Sequence, residues 1–199
     1  MDAVGVLALQ GDYERHQRML ERIGRRSRQV RKAEELEGLE ALVIPGGEST
    51  TMLKFIEEEQ LLEPLRKLHA EGAALYGTCA GVILLANEVT SPRQSSLGLL
   101  DVIVERNAYG RQVDSHVAEE PCPELGPEPL PMVFIRAPVI RRTGSGVSVL
   151  ARHRGEPVLV REGRILASTF HPELSEDERV HRYFLEQVAA DSRSRTSAL

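Results

Sequence analysis

Cys79 sits in Gly77-Thr78-Cys79-Ala80-Gly81, between an apolar run at 73–76 and a helix-like apolar run at 82–86. A cysteine on a tight strand-to-helix turn projects its sulfur above the carboxyl edge of a sheet. Glycines flank such a turn because a Cβ would clash there. The N–H groups of the first helical turn lie beneath the sulfur and favour the thiolate, the nucleophilic form. Taken alone, the pentapeptide fits a small buried hydrophobe equally well.

A base for that nucleophile is offered by Thr169-Phe170-His171-Pro172-Glu173. Pro172 biases His171 toward an extended conformation, and in an extended chain residues two apart point to the same side. Glu173 would then lie beside the imidazole and orient it. Cys79, His171 and Glu173 together supply nucleophile, base and orienting carboxylate, although His-Pro-Glu alone also suits a surface turn.

A third segment, Pro45-Gly46-Gly47-Glu48-Ser49-Thr50-Thr51, follows another apolar strand. The N–H groups of Gly46 and Gly47, with that of Ala80, could form an oxyanion hole. A phosphate-cradling loop is the weaker reading, because the spacing matches neither common phosphate-loop pattern. A plain strand–turn–helix capped by Ser49 or Thr50 fits as well.

The elements that must position these residues follow a strand–helix rhythm. Residues 3–9 read as a buried parallel strand, and Asp12 as the N-cap of a helix over 13–23 ended by Gly24. A short strand at 27–30, a strand at 40–44 and a helix at 61–70 come next. This alternation predicts an α/β fold: one domain, with a mostly parallel open sheet and helices on both faces, flavodoxin-like. Strand-like runs at 100–106, 132–136, 146–153, 157–161 and 165–170, some joined by tight turns, add an antiparallel extension. Residues 119–131 read as a surface loop, with Cys122 an exposed thiol. A C-terminal amphipathic helix is expected over 177–190, and residues 191–199, rich in Ser and Arg, as a disordered tail beyond a 1–190 domain. His16 and His181 read as solvated helix faces, His153 as surface, and His69 as a cation near a helix end. His116 ranks below His171 as a site residue.

Composition narrows the classes. The chain has 199 residues, 41% hydrophobic and 28% charged, with a net charge of -5, which offers no electrostatic footprint for nucleic acid or an anionic membrane. No apolar run approaches the roughly 20 residues that span a bilayer, and no signal peptide is expected, because the N-terminal stretch lacks a basic region and cleavage site and reads as a strand. Two cysteines make no disulfide framework, so a reducing cytoplasm is expected. No cluster has metal-ligand spacing, so neither metal nor cofactor is expected.

Taken together, these segments resemble class I, triad-type glutamine amidotransferases. Among those, the chain is similar to the glutaminase subunits of pyridoxal 5'-phosphate synthase. The similarity covers nearly everything except the tail. Its specific carriers are Gly47-Glu48-Ser49-Thr50-Thr51 and Glu105-Arg106-Asn107 with Gly110-Arg111-Gln112. The resemblance implies that Cys79 attacks the amide carbon of glutamine, that His171 moves the proton, that Glu173 holds the ring, and that a thioester is hydrolysed. It places Gly47, Glu48, Ser49, Arg106, Ile135 and Arg136 against glutamine, with Arg106 or Arg136 suited to the α-carboxylate. It implies that the partner is a (β/α)8-barrel synthase subunit, which receives ammonia and builds pyridoxal 5'-phosphate. His116-Val117 departs from the aromatic and acidic pair common at that place. The alternatives are a glutaminase serving another synthase, such as imidazole glycerol phosphate synthase, a cysteine peptidase or glyoxalase of related fold, and a non-catalytic sensor.

Overall fold

A computed structural model describes residues 3–106 and 115–190. The motif portion at 107–114 and the 191–199 tail lie outside the described residues.

Seven strands form the main sheet, in the order β10-β11-β12-β4-β3-β1-β2. They are β1 (Val4–Leu7), β2 (Arg28–Val30), β3 (Ala41–Ile44), β4 (Ala74–Thr78), β10 (Ser148–His153), β11 (Glu156–Glu162) and β12 (Ile165–Ser168). From β12 to β2 every pair is parallel, and β10 and β11 add the antiparallel extension. Runs such as Val-Gly-Val-Leu and Ala-Leu-Val-Ile are buried on both faces, as a sheet covered by helices on each side requires.

The covering helices divide the core in two. One apolar cluster places Leu7, Leu42, Ile44 and Leu75 against α2 (Ser49–Glu58), α3 (Leu62–Ala70) and α4 (Ala80–Leu85). The other places Val6, Val43 and Tyr76 with Leu20 of α1 (Tyr13–Arg22) and with Val180 and Phe184. Val180 lies in α5 (Arg179–Tyr183), and Phe184 opens the π-helical turn Phe184–Val188 that continues it. Adjacent residues of one strand thus feed opposite clusters, because strand side chains alternate. Tyr76, Phe170 and Phe184 are fully buried, each a contribution of about 1.5–3 kcal/mol for a side chain of that size.

Two smaller sheets are formed among the described residues. β5 (Ala86–Thr90), β6 (Leu100–Glu105) and β9 (Val139–Thr143) form one, and β7 (His116–Glu120) and β8 (Leu130–Phe134) form a ribbon. β5, β7 and β9 are not among the strands expected from sequence. The segment expected as a loop over 119–131 is instead the end of β7, a short 3-10 turn at Pro123–Leu125 and the start of β8. Cys122 is accordingly buried rather than exposed, and burial pushes its thiol up.

Helix starts also differ from expectation. Asp12 occupies the N-cap position of α1 but makes no side-chain cap bond. The α2 cap is Glu48, not Ser49 or Thr50: its carboxylate accepts from the Thr50 and Thr51 N–H groups. Among the described residues, no helix is long and apolar enough to cross a membrane.

Register explains why distant segments meet. Ile44 is paired with Gly77, and Ser168 with Thr78. β3, β4 and β12 therefore end level, and the chain leaves all three at one edge. Parallel sheets form their ligand crevices at that carboxyl edge, and here the strand order reverses between β1 and β3. Gln10-Gly11 follows β1 and Gly46-Gly47 follows β3, so both loops flank the reversal. Asp12 N–H donates to the Gly46 carbonyl at 3.2 Å.

Candidate active site

Cys79 is the residue between β4 and α4, and its backbone lies at φ 48°, ψ -103°. This is an uncommon conformation for a residue with a side chain, and it is held by its surroundings. The Cys79 N–H donates to the Ser168 carbonyl at 2.8 Å. A Cβ at Gly77 would meet the Gly81 carbonyl carbon at 2.7 Å, and one at Gly81 would meet the Ile44 oxygen at 2.3 Å. The two flanking glycines let α4 pack directly onto β4 and β3, which keeps the turn tight.

His171 and Glu173 leave the neighbouring strand end. His171 Nδ1 lies 2.7 Å from Glu173 Oε1, and both side chains are buried. Pro172–Leu174 is a 3-10 turn, so the side chains meet through a turn and not through the extended segment expected. The His171 N–H donates to the Val133 carbonyl of β8 at 2.8 Å, which fixes the ring's height above the sheet.

The imidazole faces the sulfur. Burial alone would lower the His171 pKa. Hydrogen bonding to Cys79 and to Glu173, together with their charges, outweighs it and raises the value to about 10. Burial would raise Glu173, but nearby His16 and the His171 hydrogen bond hold it down at about 2. A Cβ at Gly46 would fall 2.4 Å from His171 Cε1 and 3.3 Å from Cys79 Cβ, so only glycine leaves the ring this place.

A cavity of about 580 Å³ opens over these groups, a volume that suits a small polar metabolite. Cys79, His171, Ala80, Gly47, Glu48, Ser49, Arg106, Ile135 and Arg136 all line it. Gly46 lies directly behind the ring. The structure therefore brings together every site residue expected from sequence. Arg106 Nη2 approaches Glu48 Oε1 at 3.6 Å, and the hydroxyl and N–H groups of Thr50 and Thr51 hold the Glu48 carboxyl at about 2. The Cys79 sulfur also lies 4.0 Å from the Ile135 carbonyl.

Three further contributors are not among the residues expected from sequence. Gln10 Oε1 accepts the Glu48 N–H at 2.8 Å and pins the glycine loop. Its position in the loop that leaves β1 is a signal that marks a crevice residue. Gln94 Oε1 accepts from the Ser49 hydroxyl at 2.9 Å, with no sequence signal for the pairing. His16, expected to be solvated, is fully buried behind Glu173.

The other histidines are redistributed too. His181 is fully buried beside His16, and His153 is mostly buried, with Nδ1 bonded to Glu120 at 2.7 Å. His116 pairs with His153 rather than with the cavity. Ligand atoms of Asp12, His171 and Glu173 come within 4.8 Å of one another. A metal there would have to displace the His171–Glu173 bond.

Residues 6–190 match the SNO glutamine amidotransferase family. The chain belongs to that family. Its relatives include a protein of Thermus thermophilus, 57% identical over 185 residues (92% of this chain, 96% of the relative), and one of Pelotomaculum thermopropionicum, 56% identical over 184 residues (92% and 94%). Both are named pyridoxal 5'-phosphate synthase subunit PdxT. A crystal structure of a glutamine amidotransferase superposes with a TM-score of 0.89 at 54% identity, covering 94% of this chain and 99% of that one. A chain of PurLQS from Thermotoga maritima shares the fold at 16% identity, with a TM-score of 0.67 over 92% of this chain and 96% of that one. The glutamine amidotransferase fold thus includes both the parallel sheet and its antiparallel extension.

Proposed function

We propose that this chain hydrolyses L-glutamine to L-glutamate and ammonia on Cys79, and that it delivers the ammonia to a (β/α)8-barrel synthase subunit that makes pyridoxal 5'-phosphate. The observation that carries the reading is His171, buried between the Cys79 sulfur and the Glu173 carboxylate at one strand edge. Family membership supplies the substrate class, and the name shared by the relatives supports the partner.

In this reading the Cys79 sulfur, its proton held by His171, attacks the side-chain amide carbon. The carbonyl π electrons move to oxygen, where the N–H groups of Gly47 and Ala80, with Gly46 in the same loop, receive the charge. His171 gives the proton to the amide nitrogen, the C–N bond breaks, and ammonia departs from a thioester. Water, deprotonated by the same imidazole, attacks the thioester. The C–S bond breaks and glutamate leaves. A positioned acid–base group of this kind contributes about 10²–10⁴-fold. Glu173 keeps Nδ1–H engaged, so Nε2 is the working nitrogen. Arg106, mostly buried at the cavity wall, offers a guanidinium for the α-carboxylate, and Glu48 a carboxylate for the α-amino group. Ser49, Ile135 and Arg136 complete the substrate wall. Ammonia is mostly protonated near neutral pH and then no nucleophile, which favours sheltered transfer to the partner.

Glutamate release by the purified chain, with and without the synthase subunit, tests the proposal. Release by the wild-type complex and none by Cys79→Ala, with the complex still formed, is expected. Full activity in Cys79→Ala overturns it.

A further inference from the structure

Behind the Cys79–His171–Glu173 row lies a second row of buried polar groups that the reaction above does not use. Glu173 Oε1 is taken by His171, but Oε2 is buried with no hydrogen-bond partner. His16 Nε2 lies 3.4 Å from Oε2, and both side chains have no solvent exposure. His16 Nε2 also reaches Thr78 Oγ1 at 3.2 Å, the residue directly before Cys79. On its other side His16 Nδ1 meets His181 Nε2 at 2.9 Å. α1, distant in sequence, meets α5 and the turn after β12 at this point.

The protons in this row follow from burial and from what each neighbour can accept. Burial lowers both His16 and His181, the latter to about 3, so each is neutral near pH 7 and carries one proton. A carboxylate only accepts, and a bare Nε2 lone pair would be repelled by it, which favours the N–H on Nε2, where Thr78 Oγ1 accepts it and Glu173 Oε2 lies beside it. Nδ1 of His16 is then a bare lone pair and must accept from His181 Nε2–H. His181 Nδ1 is left as the bare end of the chain, and it has no hydrogen-bond partner. The remaining groups facing His16 are Asp12 on its own helix and His171. Tyr76, edge-on at 6.4 Å, stays un-ionised in its buried site.

We infer that His16, itself oriented by His181, is a positioning residue for Glu173: its Nε2–H, 3.4 Å from the otherwise unpartnered second carboxylate oxygen, supplies the polar wall that fixes the carboxylate plane and thereby the His171 ring opposite Cys79. The inference rests on the proposed glutaminase chemistry. Without His16 the Oε2 lone pairs face a dry wall, and an unsatisfied buried carboxylate either rotates or takes up a proton. Either change weakens its hold on the His171 imidazolium.

The test reads Cys79 itself and does not depend on glutamine turnover. Wild type, His16→Gln and His16→Met are alkylated with iodoacetamide from pH 5 to 9, with the modified peptide resolved by mass spectrometry because Cys122 is also present. Glutamine restores an N–H donor near the Nε2 position, whereas methionine fills the volume without one. The expected result is a wild-type-like profile for His16→Gln. For His16→Met, the midpoint should move up by about one pH unit, with roughly tenfold slower alkylation on the acid side. In the glutaminase assay kcat should fall in His16→Met and KM should hold. Equal behaviour of the two variants overturns the inference, whether both keep the wild-type profile, both shift, or both unfold, because the N–H facing Glu173 would then not decide the outcome. Failure of the glutaminase reading shows separately, as wild-type glutamate release that Cys79→Ala does not abolish.

Discussion

His171 Nδ1 donates to Glu173 Oε1 across 2.7 Å, although a proline is the only residue between them. The 3-10 turn at Pro172–Leu174 folds the carboxylate back under the ring, so one short segment carries both the base and the group that orients it. Glu173→Gln replaces the charged acceptor by a neutral one and leaves His16 facing an amide. Glutamate release should fall by about 10²-fold with the complex intact, measured as steady-state kcat. An unchanged kcat would remove Glu173 from the mechanism.

Two glycines separate activity from stability. Gly46→Ala sets a methyl 2.4 Å from His171 Cε1. The ring must move away from the sulfur, and activity should drop more than about tenfold while the melting temperature stays near wild type. Gly81→Ala sets a methyl 2.3 Å from the Ile44 carbonyl, which is backbone in the central sheet. That change should cost about 1–3 kcal/mol, at roughly 2–4 °C of melting temperature per kcal/mol in a chain of this size. Thermal melts and glutaminase assays of both variants check the contrast.

Acid should weaken the fold before it reaches the usual carboxylate range. His181, held at about 3, and His16, also lowered, are neutral when folded and take up protons near 6.5 when unfolded. The unfolded chain therefore binds more protons below about pH 6.5. This contribution is complete above that value and is lost as pH falls, at up to about 1.4 kcal/mol per pH unit for each histidine. Glu173, at about 2 when folded, adds a loss of the same sign below its ordinary value of 4.5. His171 acts oppositely: its contribution is complete below 6.5 and is lost as pH rises through about 10. Melting temperature should fall steadily from pH 6.5 to 4.5. A flat profile across that window contradicts the buried pair.

Arg106 lies against Glu48 at the cavity wall, and its side chain is only 13% exposed. Arg106→Ala should raise KM for glutamine about tenfold or more, as expected for a lost hydrogen bond to a charged group, and change kcat less. An equal loss in Arg136→Ala with no effect at Arg106 would move the α-carboxylate to the other guanidinium.

The nucleophile and base are legible in the sequence because each follows an apolar strand, and parallel strands place their carboxyl ends on one edge. The glycines around Cys79 and at Gly46-Gly47 are legible for the same reason. His16 and His181 are not. Each falls on an amphipathic helix where a lone histidine looks like part of the wet face, and nothing local says that the two faces meet over Glu173. The burial of Cys122 is hidden because Pro121-Cys122-Pro123 has the composition of a loop, yet Cys122 joins Phe134 and Phe184 in the second apolar cluster. The α2 cap falls one residue earlier than expected: Ser49 is the common choice, but Glu48 carries two oxygens and reaches both the Thr50 and Thr51 N–H groups.

The most direct measurement is the intact mass of the chain, in complex with its synthase subunit, quenched in acid during glutamine turnover. The account predicts a fraction carrying one added glutamyl group on the Cys79 peptide, absent from Cys79→Ala. Turnover with no such adduct under any quench, or the same adduct in Cys79→Ala, would contradict it.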